Sequence, residues 1–119
     1  MKVAVIGAST NPERYSHIAV LRLLEHDYDV YPVGVKKGEI QDKKIINGKP
    51  DIKDIHTVTL YINSKIQEDY KDYIINQLKP KRIIFNPGTE NDDFFNYAKQ
   101  KGIEVLEACT LVMLSTGQF

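Results

Sequence analysis

A chain of 119 residues encloses one domain-sized core and is too short for two. Its 42% apolar and 27% charged residues match a folded, water-soluble domain and exclude a disordered or fibrous chain. Sixteen basic side chains balance sixteen acidic ones, so no global field draws the protein to nucleic acid or to a membrane surface.

Strand-like and helix-like patterns alternate along the chain. "KVAVIG" (2–7) is a short run rich in valine that ends at Gly7; it is too short for a secretory apolar segment. "SHIAVLRLLE" (16–25) carries apolar residues at helical spacing, and Asp27 follows where a glycine would ease the left-handed turn. "DVYPVG" (29–34) reads as a second strand. The lysine-rich segment 34–56 reads as a surface excursion, with a short helix near Glu39–Lys44. "TVTLYI" (57–62) is β-branched and aromatic throughout and is the strongest strand.

The helix after it opens with a capping box, Ser64 to Gln67, buries Tyr70, Tyr73, Ile74 and Leu78, and stops at Pro80. "RIIFN" (82–86) is a fourth strand. Thr89 is placed to cap the next helix, which buries Phe94, Phe95 and Ala98 and ends at Gly102. "IEVLEA" (103–108) is a fifth strand, and "LVMLS" begins a short last helix. No apolar run approaches the roughly 20 residues of a membrane-spanning helix.

This alternation predicts an α/β fold: a single doubly wound, Rossmann-like domain over 1–119, with a five-stranded parallel sheet and helices on both faces. Two strand orders are common, 3-2-1-4-5 and 2-1-3-4-5. The phosphate-like turn after strand one favours 3-2-1-4-5.

That turn, "GASTNPER", keeps one glycine of the dinucleotide fingerprint, Gly7; Ser9 and Pro12 occupy the places of the other two. It retains small residues for close approach, hydroxyls at Ser9 and Thr10, an Asn11-Pro12 step that opens a helix, and the forked cation of Arg14. Two readings of it stay open: a phosphate-binding turn, or a plain strand-to-helix turn with a solvated arginine. The end of strand two separates NAD from its relatives. An NAD site places a carboxylate there for the ribose hydroxyls, whereas this chain has Lys36 and Lys37. Paired lysines suit an adenosine with an extra ribose phosphate, as in coenzyme A or NADP.

"GASTNPERYS", "VYPVGVKK", "INGKPDIKDI", "FNPGTEND" and "EACTLVML" come in an order and spacing that resembles the small CoA-binding domain family over essentially the whole chain. The same Rossmann-like domain begins succinyl-CoA ligase alpha subunits and ADP-forming acyl-CoA synthetases. The resemblance implies that Gly7, Ala8, Ser9, Asn11, Pro12 and Arg14 hold a pyrophosphate. It implies that Pro32, Val33 and Lys36 flank the adenosine and its 3′-phosphate, and that Asn86, Pro87, Gly88 and Cys109 line the same rim. Tyr61, at the end of strand three, is placed to edge the pocket. Relatives read Pro-Val-Asn-Pro where this chain has Pro32-Val33-Gly34-Val35.

The expected ligand is therefore coenzyme A or an acyl-CoA, bound in a cytoplasmic protein without catalysis of its own. The ligase relatives work through a phosphohistidine in a separate domain, and His17, His26 and His56 do not match it. Alternatives are an NADP-binding or redox-sensing domain, and an enzyme built on Cys109 with His17 as base. Cys109 reads either as a helix-end thiolate within reach of a CoA thiol or, more simply, as a small buried residue. Glu90, Asn91, Asp92 and Asp93 complement a helix dipole, and no metal is assigned.

Overall fold

A computed structural model describes every residue from Met1 to Phe119. The strands are β1 (Lys2–Ile6), β2 (Asp29–Val33), β3 (Glu39–Ile40), β4 (Lys43–Lys44), β5 (Ile55–Leu60), β6 (Arg82–Phe85) and β7 (Glu104–Glu107). The helices are α1 (Tyr15–Glu25), α2 (Ser64–Asp72), α3 (Asp92–Gln100) and α4 (Thr110–Ser115). Five strands form one parallel sheet; β3 and β4 form a separate antiparallel pair.

Alternate side chains of each strand enter opposite layers. Ala4 and Ile6 join Val58, Leu60, Ile83 and Phe85 beneath α2 and α3, where Phe94 meets Phe85 edge-on at 5.4 Å. Val3 and Val5 face the other way, toward Val20 and Leu23 of α1 and Leu114 of α4. The doubly wound, five-stranded parallel sheet expected from the sequence is present.

The strand order is not the expected 3-2-1-4-5. It runs β2-β1-β5-β6-β7, which is 2-1-3-4-5 among the five long strands. Pro32 explains the difference. In 3-2-1-4-5 the second strand would be interior, and its proline would leave a gap in the ladder. At the edge, the Pro32 carbonyl accepts from Ile46 N at 2.9 Å, and the missing amide is not needed. Gly34 N donates to Ile46 O at 3.0 Å, so this short return of the chain also covers part of the open edge.

Local expectations are corrected at three places. Glu39–Lys44 is a hairpin, not a helix: Gln41 takes φ 55° at its tip, and Ile40 is buried against the α1 layer. Asn63, not Ser64, caps α2 by accepting from Ile66 N at 2.9 Å. Asn91, not Thr89, caps α3 by accepting from Phe94 N at 3.1 Å. Gln67, freed from a capping box, is wholly buried and donates to Ile62 O (2.8 Å) and Thr89 O (2.7 Å). After α2 the chain widens into a π-helical stretch, Tyr73–Leu78, closed by Lys79 at φ 49° just before Pro80. The left-handed turn at Asp27 is as expected, with φ 64°.

A buried polar tie joins β5, β6 and α4. Asn86 Nδ2 donates to Thr59 Oγ1 (2.6 Å) and Leu60 O (2.9 Å), while its Oδ1 accepts from Thr110 N (2.8 Å). Thr59 and Thr110 share a further hydroxyl bond of 2.8 Å. Replacing Asn86 with leucine orphans several buried polar groups. Urea unfolding is expected to register a loss of about 2–4 kcal/mol, and a change under about 0.5 kcal/mol would show that the tie is dispensable.

At the opposite end of the sheet, half-buried His56 bonds Thr57 Oγ1 through Nδ1 at 2.8 Å, and buried Arg82 donates to the same hydroxyl at 3.0 Å. Partial burial, then the charges of Arg82 and Lys81, hold the His56 pKa below its ordinary 6.5. The unfolded chain thus takes up a proton more readily than the folded one. This contribution is complete above about pH 6.5 and is lost as pH falls through the lower folded value. Thermal melts from pH 7.5 to 5 should show a shallower acid loss in His56→Gln than in the wild type; parallel curves would refute the assignment.

Candidate functional site

With β1 between β2 and β5, connections leave β1 in one direction and return on the other side, which opens a crevice at the carboxyl ends of the strands. A cleft of about 620 Å³ occupies that position. Four segments line it: the turn after β1 with the start of α1, the segment after β2, the β5–α2 connection with one face of α2, and the β6–α3 connection. A second hollow of about 680 Å³ lies at the amino ends of β5 and β6, lined by Asp51–His56 and Asn76–Lys79 with Lys81. Its lysines are solvated, Lys53 is already paired with Asp51 at 3.3 Å, and no helix N-terminus opens into it. The chemistry therefore concentrates in the first cleft.

Glycine makes the first turn possible. Gly7 has φ 101°, and a Cβ there would lie 2.9 Å from Tyr61 O and 3.0 Å from Ile62 Cγ2. Gly34 serves close approach instead: a Cβ on it would lie 2.4 Å from Ala8 O. The loops after β1 and β2 are thereby pressed together, with Gly7 N and Ala8 N both donating to Val33 O at 2.9 Å. Asn47 Nδ2 braces the second loop through Gly34 O at 2.8 Å. Position 34 therefore requires glycine in this chain, because any side chain would strike the opposing backbone.

Beyond Ala8 the turn is closed by its own polar groups. Ser9 Oγ accepts from Asn11 N at 3.1 Å, Asn11 Oδ1 accepts from Glu13 N at 3.0 Å, and His17 Nδ1 donates to Ser9 O at 2.8 Å. The amides of Ser9, Thr10, Tyr15 and Ser16 have no acceptor within the protein, and all four residues line the cleft. The first turn of α1 has no acidic residue, and Arg14 at its N-cap makes no side-chain cap, so the positive end of the helix is not neutralised. Arg14 and Lys36 add two exposed cations with no carboxylate within 4.0 Å.

Of the residues singled out in the sequence, Gly7, Ala8, Ser9, Thr10, Arg14, Lys36, Tyr61, Pro87 and Gly88 line this cleft. Asn11 and Pro12 shape the turn without lining it. Pro32 and Val33 are buried in β2, where they anchor the loops rather than face the cleft, and Lys37 is exposed outside it. Asn86 is 1% exposed, with both donors spent in the β5–β6–α4 tie. Cys109 is half-buried and does not line the cleft; the first amide of its helix is already taken by Asn86. His17, the base of the enzyme alternative, donates a hydrogen bond from Nδ1 to Ser9 O and does not line the cleft. The Tyr61 hydroxyl is buried without a well-formed hydrogen bond. Burial pushes its pKa up to about 12, offset only in part by the Thr110 and Thr59 hydroxyls beside it.

Sequence reasoning missed Tyr15, Ser16, Gly34, Val35, Ile62, Asn63, Ile66 and Thr89, and it placed Tyr70 in the core, whereas Tyr70 is half-buried and lines the cleft. A signal for three of them was present. Ile62, Ile66 and Tyr70 are spaced by four, which forms a second apolar stripe beside the core-facing Tyr73, Ile74 and Leu78.

A family profile described as "CoA binding domain" matches residues 1–115. No curated protein matches the chain. Among solved structures, an uncharacterized protein is 48% identical, with a TM-score of 0.96 over 99% of this chain and 97% of its own. A hypothetical protein from Pyrococcus horikoshii is 32% identical, with a TM-score of 0.85 over 96% of this chain and 81% of its own. A conserved hypothetical protein from Pyrococcus furiosus is 26% identical, with a TM-score of 0.81 over 93% and 97%. The turn after β1, the lysine beyond β2 and the Asn-Pro-Gly corner after β6 all fall within the matched span, and the chain belongs to the CoA binding domain family.

Proposed function

We propose that the protein binds coenzyme A through its ADP moiety and does so without chemistry of its own. The observation that carries this reading is the cradle of four unpartnered amides, Ser9, Thr10, Tyr15 and Ser16, between the free cations Arg14 and Lys36. Backbone amides at a helix N-terminus suit a pyrophosphate, and the guanidinium of Arg14 adds a charge-assisted grip. Lys36, one loop away on the edge of the sheet, suits the extra ribose phosphate. Tyr15 and Val35, both exposed on the same side of the cleft, offer apolar surface to the adenine ring. A catalytic role has less to draw on, since neither His17 nor Cys109 lines the cleft.

Calorimetry and thermal shift with CoA, dephospho-CoA, NADP and NAD test the reading, because a ligand taken only by the folded state raises its melting temperature. CoA is expected to bind about five- to tenfold more tightly than dephospho-CoA. Lys36→Ala should erase that gap and Lys37→Ala should leave it. Arg14→Ala should weaken every diphosphate ligand about tenfold. NADP outranking CoA would replace this reading with the NADP alternative, and dephospho-CoA matching CoA would remove Lys36 from the site.

A further inference from the structure

We infer that the β5–β6 half of the cleft is a subsite for the acyl group of an acyl-CoA thioester, with Ile66 setting the preference; this rests on the CoA reading above. Only five large apolar side chains in the protein are exposed, and three of them, Tyr15, Val35 and Ile66, line this one cleft. Such a concentration in a concave, partly polar site marks apolar surface kept for a ligand rather than scattered at random.

The strand order arranges that surface. The cleft crosses the ends of β2, β1, β5 and β6 in turn. The cations and free amides belong to the β2 and β1 loops. The β5 side contributes Ile62 from its loop and Ile66 and Tyr70 from α2, and the β6 loop contributes Pro87, with no charged side chain among the lining residues of that half. Three strand spacings, roughly 14 Å, separate the two ends. An ADP moiety seated at the cationic end directs its pantetheine arm toward the apolar end. A bare thiol there leaves Ile66, 43% exposed, in water. An alkyl acyl chain removes that surface from water, at about two- to fourfold in affinity per methylene buried.

Titration calorimetry with CoA, acetyl-CoA, butyryl-CoA and hexanoyl-CoA tests this on the intact protein. Wild-type affinity is expected to rise with acyl length over this series, by about tenfold or more from acetyl to hexanoyl. Ile66→Asn should flatten the slope and Ile66→Leu should retain it, with unliganded melting temperatures confirming that both variants fold. CoA binding with no gain along the series would overturn the acyl subsite and leave the CoA reading intact. A slope unchanged in Ile66→Asn would overturn its assignment to this wall. Failure of every CoA species to bind at millimolar concentration would overturn both readings.

Discussion

The site depends on one carbonyl. Val33 O, at the end of β2, receives the amides of both Gly7 and Ala8. That bond ends β1, turns the chain and fixes the loop of β1 against the loop of β2. It is possible only because Gly7 and Gly34 lack side chains where each meets opposing backbone within 3 Å. Two amides are consumed in the fold, and the next two, Ser9 and Thr10, are left facing the cleft. Small residues in this turn thus do two different things, and neither replaces the other: the glycines allow the approach, while the serine and threonine amides supply the donors.

The rest of the turn limits its freedom. An unliganded loop that carries free donors and a free arginine would lose entropy on binding if it were mobile. Here Ser9, Asn11 and His17 close it through three internal hydrogen bonds, each 3.1 Å or shorter. The bond from His17 also reaches back from α1, so the loop and the helix end move as one piece. Below them, Gln67 joins the β5 loop to the β6 loop by donating to Ile62 O and Thr89 O, and Gln67 Oε1 accepts from Asn91 Nδ2 at 3.0 Å. The loops around the cleft are therefore tied by hydrogen bonds, so a ligand taken there would spend little binding energy on ordering them.

What could be read from the sequence was local or periodic. The five strands, their flanking helices, the left-handed Asp27 and the phosphate-like turn all declare themselves through neighbours in sequence, as did Lys36 through its place after β2. What escaped depended on partners distant in the chain. Gln67 sits at the right offset from Ser64 for a capping box, yet its buried amide reaches Thr89 O, 22 residues further along the chain. Asn86 belongs to a motif associated with the ligand rim, but three buried groups claim its carboxamide. A short polar side chain is ambiguous until its surroundings are known, whereas a glycine or proline carries its constraint with it.

Pro32 shows how far such a constraint extends. It cannot donate to a neighbouring strand, so β2 takes the edge and the sheet becomes 2-1-3-4-5. Had β2 been interior, the third long strand would lie beyond it, and Ile62, Ile66 and Tyr70 would flank Lys36 on the far side of the cations. With β2 at the edge, β5 crosses to the other side of β1. The amides of the first turn then have lysine on one hand and an apolar wall on the other. A ligand with its charged and apolar parts at opposite ends would fit that sequence of surfaces in one direction only, and a proline at the rim of the sheet would thereby set the orientation of such a ligand.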